Sequence, residues 1–135
     1  MTESGQRSAQ GFPPVHRMRR RRDFLVTYQE GTRLHGRLTV LFARRSGPDQ
    51  PWRLGQTATG KIGGAVVRNR LRRHGREIFR HWRATLPGGW DFVVNYKHRA
   101  VEADQAELRR DLLASLRRLG IDPEPAAHAQ SGPPA

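Results

Sequence analysis

The chain has 135 residues, 25 Lys plus Arg against 12 Asp plus Glu, a formal net charge of +13 and no cysteine. This length allows one domain with one modest core, and the absence of cysteine excludes disulfides and thiolate-held zinc or iron–sulfur centres. The excess of positive charge points to a polyanionic partner.

Residues 1–15 and 122–135 are polar or rich in Gly and Pro and read as disordered tails, which leaves one domain over 16–121. The domain opens on the run Arg17, Arg19, Arg20, Arg21 and Arg22. DFLVTYQEG follows, with Leu25 and Tyr28 at helical spacing and Gly31 as the stop, so a short helix with a basic entrance is predicted. RLTVLFAR, 37–44, alternates and is β-branched, and WRLGQTAT, 52–59, is expected to return beside it. The turn-rich link SGPDQP makes the pair a predicted hairpin.

A glycine-bearing entry, KIGG, then leads into a helix-length stretch dominated by arginine up to Arg83. At roughly 100° per residue, Arg68, Asn69, Arg72, Arg73, Arg76, Arg80 and Arg83 fall within an arc of about 140°. Val67, Leu71, Ile78 and Trp82 take the adjoining arc, with Phe79 at its border. Such a face, with Glu77 the lone acid between Lys61 and Trp90, repels itself unless something anionic lies against it. After the break PGG at 87–89, WDFVVNY, 90–96, reads as a buried strand. Glu102 to Leu119 reads as a helix, with Leu108, Leu112, Leu116 and Leu119 on one side and Gly120 and Pro123 beyond. Strands alternating with amphipathic helices give a small α/β sandwich, a single sheet with helices packed on it. No apolar run approaches the roughly 20 residues of a membrane span, and MTESGQRSAQ lacks the apolar stretch of an export signal. The expected compartment is the cytoplasm, with no membrane partner.

Catalytic equipment is not legible. GQTATGK, Gly55 to Lys61, has the glycine and lysine spacing of a phosphate-binding loop. However, Ile62 stands where that loop needs a magnesium-binding hydroxyl, so a strand running into a turn is the better reading. His74 and Glu77, one helical turn apart, read as a solvated pair because nothing marks a nucleophile or a third orienting group. The six histidines have no metal-site spacing, and no protein metal site or catalytic residue is expected. Phe24, Tyr28 and Phe42 leave two readings open, core packing or a shared groove in which unpaired bases stack.

Lys61, Gly63, Ala65, Val66, Val67, Arg68, Asn69, Arg70, Arg72, Arg73 and Arg76, in this register, resemble the arginine–asparagine–arginine signature of the bacterial ribonuclease P protein component. The resemblance extends from about His16 to Leu119. It implies an α/β sandwich of about four strands and three helices with a left-handed βαβ crossover. It also implies a catalytic RNA partner whose magnesium ions do the chemistry, precursor tRNA as the substrate partner, no cofactor bound by the protein alone and no required protein partner. By the same resemblance, Lys61, Arg68, Asn69, Arg70, Arg72, Arg73 and Arg76 bind the catalytic RNA, and Phe24, Tyr28 and Phe42 bind the single-stranded 5′ leader of the precursor. The alternative is a structural RNA-binding protein of ribosomal or chaperone type. Gly60, Gly64 and the pair His74–Gly75 depart from the family pattern, and Gly75 weakens its helix by about 1 kcal/mol relative to Ala. The fourth strand has no visible place in the sequence.

Overall fold

A computed structural model describes residues 12–125. The elements are α1 (Arg21–Glu30), β1 (Thr32–His35), β2 (Thr39–Arg45), β3 (Arg53–Thr57), α2 (Ala65–His81), β4 (Trp90–Tyr96) and α3 (Gln105–Arg118). Short 3-10 turns at Pro14–His16, Gly60–Ile62 and His98–Glu102 lead into them. The four strands form one mixed sheet in the order β1-β2-β4-β3. β4 runs antiparallel to β2 and parallel to β3, so β3, α2 and β4 make a parallel crossover.

This order corrects the predicted hairpin: β2 and β3 do not pair, because β4 lies between them. The physical cause is in β4 itself. Phe92, Val93 and Val94 are each at most 1% exposed, so the strand is covered on both faces and takes an inner position in the sheet. The fourth strand is β1, whose burial is confined to Leu34.

The sheet faces differ in cover. On one, Leu41, Ala43, Leu54, Phe92, Val94 and Tyr96 pack with Leu71, Ile78, Phe79 and Trp82 and with Leu108, Leu112 and Leu116 in the main core. The helix supplying the leucines starts at a capping box, in which Asp104 accepts from the Glu107 N–H at 2.8 Å and Glu107 accepts from the Asp104 N–H at 2.9 Å. On the other face, Met18, Phe42 and Val93 form a small cluster closed by Phe24, Tyr28 and Val40.

Two expected tail segments belong to the fold. Phe12 is 2% exposed and meets the Trp52 ring edge-on at 5.5 Å. Near the other end, the Glu124 carboxylate accepts from the Trp82 indole at 2.6 Å and from Arg109 at 2.7 Å. Sequence polarity conceals both because each anchor is a single residue among Pro, Gly and charged neighbours. The remaining parts of those tails, 1–11 and 126–135, lie outside the described residues.

Candidate nucleic-acid interface

α2 turns Leu71, Gly75, Ile78 and Phe79 to the core, leaving arginine outward. Arg73, Arg76, Asn69 and Lys61 are exposed, while Arg68 and Arg72 are half-buried. Arg72 donates to the Ala58 carbonyl at 3.3 Å and to Asn69 Oδ1 at 3.4 Å, which holds its guanidinium beside β3. Arg68 Nε is buried without a hydrogen-bond partner among the described residues. In the same set, none of Lys61, Arg68, Arg70, Arg72, Arg73 and Arg76 forms an ion pair with a carboxylate. Partial desolvation, followed by the charges of Arg17, Arg72 and Arg73, pushes the Arg76 pKa down from its usual value. An incoming phosphate relieves that repulsion.

Arg70 stands apart from this face. It lies on the opposite flank of α2 and donates to the Val101 carbonyl in the turn before α3. His74 shares that flank, and its pKa is lowered by burial first and then by the charges of Arg73 and Arg70. Glu77 accepts from Arg80 at 2.5 Å, so no acid–base pair with His74 forms. Among the described residues there is no group of three or more His, Asp or Glu arranged to hold a metal ion.

The three aromatic residues predicted as a group converge on the thinly covered sheet face. Tyr28 meets Phe42 edge-on at 4.7 Å. Its hydroxyl donates to Asn95 Oδ1 at 3.0 Å, so Thr57 Oγ1, at 2.9 Å, supplies the other proton. Phe24 and Tyr28 are half-buried and line a cavity of about 390 Å³ with Arg19, Arg21, Leu25 and Thr57. Phe42 is 7% exposed and backs Tyr28 from the sheet, with the Arg33 guanidinium 5.4 Å from its ring centre. Phe42 is therefore core, while Phe24 and Tyr28 pack against it half-buried and also line a cavity.

β3 joins this wall to the arginine helix. Along it, Arg53, Gly55 and Thr57 face α1: Arg53 binds Asp23 at 3.1 Å, Thr57 binds Tyr28, and Gly55 lies under Phe24. A Cβ on Gly55 would come within 2.6 Å of the Phe24 ring, so only glycine lets that ring lie against the strand. Gln56 faces the other way and donates to the Arg72 carbonyl at 3.2 Å. A second cavity, about 600 Å³, is lined by Met18, Arg19, Phe24, Gln56, Arg72 and Arg76 among others. It shares Arg19 and Phe24 with the first, so the two cavities adjoin at these residues, one on the side of Arg72 and Arg76 and the other on the side of Tyr28.

Sequence reasoning missed Gln56, Met18 and Arg33. Arg19 was visible only as one member of a basic run, and no local pattern distinguishes Gln56. A side chain at Gly60 or Gly64 would meet nothing within 4 Å, so packing does not demand glycine at those two departures.

A family model for Ribonuclease P matches residues 12–120. The chain belongs to the ribonuclease P protein family. It is 37% identical over 116 residues to the ribonuclease P protein component of Streptomyces avermitilis, covering 80% of this chain and 94% of that one. To the Thermotoga maritima component it is 37% identical over 123 residues, covering 88% and 98%. The solved T. maritima RNase P protein superposes with a TM-score of 0.68 at 38% identity, over 76% of this chain and 96% of that one. An RNase P protein from Staphylococcus aureus, 24% identical, shares the fold with a TM-score of 0.72 over 78% of this chain and 96% of that one. As a ribonuclease P protein, the chain is a subunit of a ribonucleoprotein endoribonuclease in which the RNA carries catalysis. No helix among the described residues is long and apolar enough to cross a membrane.

Proposed function

We propose that this ribonuclease P subunit binds its catalytic RNA through Lys61, Arg68, Asn69, Arg72, Arg73 and Arg76, with Arg70 serving from the flank toward α3. The same subunit takes the 5′ leader of precursor tRNA along the groove of Phe24 and Tyr28, with Phe42 as backing. The observation that carries the reading is that the cavity beside Arg72 and Arg76, arginines without a carboxylate partner, adjoins the cavity of the aromatic wall at Arg19 and Phe24. Arginines without carboxylate partners bind a phosphate chain without first breaking an internal ion pair. A half-buried ring offers a face to an unstacked base, typically worth about 1–3 kcal/mol.

Division of labour between protein and RNA follows from the side chains. Asp91 is held by Arg44 and Arg53, Asp23 by Arg53, Glu30 by Arg44, and Asp111 by the Arg37 N–H and the Thr39 hydroxyl. These carboxylates are committed to the fold. Magnesium held by the RNA supplies the hydrolytic chemistry, and this chain screens phosphate repulsion and positions the precursor, in the cytoplasm and without a protein partner. The test is cleavage of precursor tRNA by a bacterial ribonuclease P RNA at low magnesium, with and without the protein. Stimulation is expected, and its absence overturns the proposal.

A further inference from the structure

Gln56 sits where the two binding elements meet. Its Oε1 accepts from the Tyr96 hydroxyl, and its Nε2 donates to the main-chain carbonyl of Arg72 at 3.2 Å. Tyr96 is 7% exposed, and burial pushes its ionisation far above the ordinary tyrosine range against the opposing charges of Arg76 and Arg72. The phenol therefore remains an O–H donor. The Arg72 carbonyl can only accept, so it fixes Nε2 toward the helix and leaves Oε1 to accept from the Tyr96 hydroxyl, which settles the amide's orientation.

Room for this chain of bonds comes from Gly75. A Cβ there would stand 2.2 Å from both Gln56 Oε1 and Tyr96 Oη. Glycine is a poor helix former, yet it occupies the middle of the arginine helix, where it lets the backbone settle onto the Tyr96–Gln56 pair. Among the described residues, the side-chain hydrogen bond between β3 and α2 is the one made by Gln56. β3 is also one of the two edge strands, extended among the described residues by a bridge between Arg17 and Leu54. Its neighbour Gly55 seats Phe24, so adjacent residues of one strand set the places of the aromatic wall and of the arginine face.

We propose that Gln56, held by Tyr96 and accommodated by Gly75, is a positioning residue for leader recognition. It locks α2 to β3 in the register that sets the distance between Arg72 and Arg76 on one side of the groove and Phe24 on the other. Bound catalytic RNA thereby presents the leader to the aromatic wall at one spacing. The inference rests on the groove being the leader site.

The experiment uses holoenzyme reconstituted from the full chain and a bacterial ribonuclease P RNA, with precursor and mature tRNA as paired ligands. Tyr96→Phe deletes one oxygen and keeps the ring, and Gln56→Met keeps the volume, so both retain the packing. Each is expected to lower the ratio of precursor to mature affinity by about fivefold and to raise KM for the precursor with kcat unchanged. Affinity of the chain for the catalytic RNA should stay within about twofold of the parent. The double variant should lose no more than either single one, because both cut the same chain of bonds. An unchanged ratio in the folded variants, or a parallel loss of catalytic-RNA affinity, overturns the inference. Phe24→Ala separates the two ideas. If it lowers the ratio and Gln56→Met does not, the groove stands and the positioning role falls; if Phe24→Ala leaves the ratio unchanged, the groove reading fails and the positioning role fails with it.

Discussion

Arg53 and Arg73 are the same residue type put to opposite uses. Arg53 lies in β3 and binds Asp91 through two nitrogens at 2.9 Å and Asp23 at 3.1 Å, and the bonds from Asp91 raise its pKa despite desolvation. Arg44 adds a second guanidinium on Asp91, which is 1% exposed, and also reaches Glu30. This cluster pins α1 to the sheet. Arg73 lies on α2, exposed, with no ion pair among the described residues. Arg53 holds the fold through two acids, whereas Arg73, on the face proposed to meet RNA, has none among the described residues.

The largest effect should come from breaking the paired set. Asp91→Ala leaves Arg44 and Arg53 facing each other over a buried site, and denaturant unfolding should register a loss of about 3 kcal/mol. An equally stable variant would mean that the cluster is not structural. Next, Phe24→Ala in the holoenzyme should weaken precursor binding by about 1–3 kcal/mol while mature tRNA binding holds, by competition binding with the two tRNAs. Equal loss for both would remove the distinction between groove and charged face. Arg73→Ala should change stability by less than about 0.5 kcal/mol in the same unfolding assay, in contrast to Asp91→Ala.

A pH-dependent effect concerns the strap at the C-terminal end. Burial opposes the Glu124 charge, but bonds from Arg109 and Trp82 and the charges of Arg109 and Arg117 outweigh it, so its pKa lies below the usual 4.5. A carboxylate depressed by folding adds stability above about pH 4.5, and that stability is lost as pH falls through the lowered value. Trp82 fluorescence should report loosening of the strap in this acid range. Glu124→Gln should remove that step and cost about 1 kcal/mol at neutral pH.

Legibility in the sequence follows the range over which each signal acts. α3 was readable because Leu108, Leu112 and Leu116 repeat on one side, and α2 because its arginines and apolar residues separate by angle. β4 is readable as a strand, but nothing local in the sequence says that it takes the place between β2 and β3 and so replaces their hairpin. Turn residues between 45 and 52 signal a reversal and carry no information about pairing. β1 escaped notice because four residues with Leu34 alone buried leave no period to detect.

For the interface, the arginine register and the aromatic trio could be read, while the part that joins them could not. Gln56, Gly75 and Tyr96 are 19 to 40 residues apart, and only the fold brings the amide, the missing Cβ and the phenol together. Gly75 reads in sequence as a weakness of the helix. In the structure it is the point at which the helix approaches the sheet.

Most direct for the account is the salt dependence of binding between this chain and a bacterial ribonuclease P RNA, compared for the parent, Arg73→Ala and Arg45→Ala. Arg45 is exposed too, but it lies over the Trp90 ring at 5.0 Å, away from α2. The plot of log K against log salt should flatten by about one phosphate contact for Arg73→Ala and stay unchanged for Arg45→Ala. Equal flattening by both variants would mean that the RNA responds to total charge alone, and would contradict a built interface on α2.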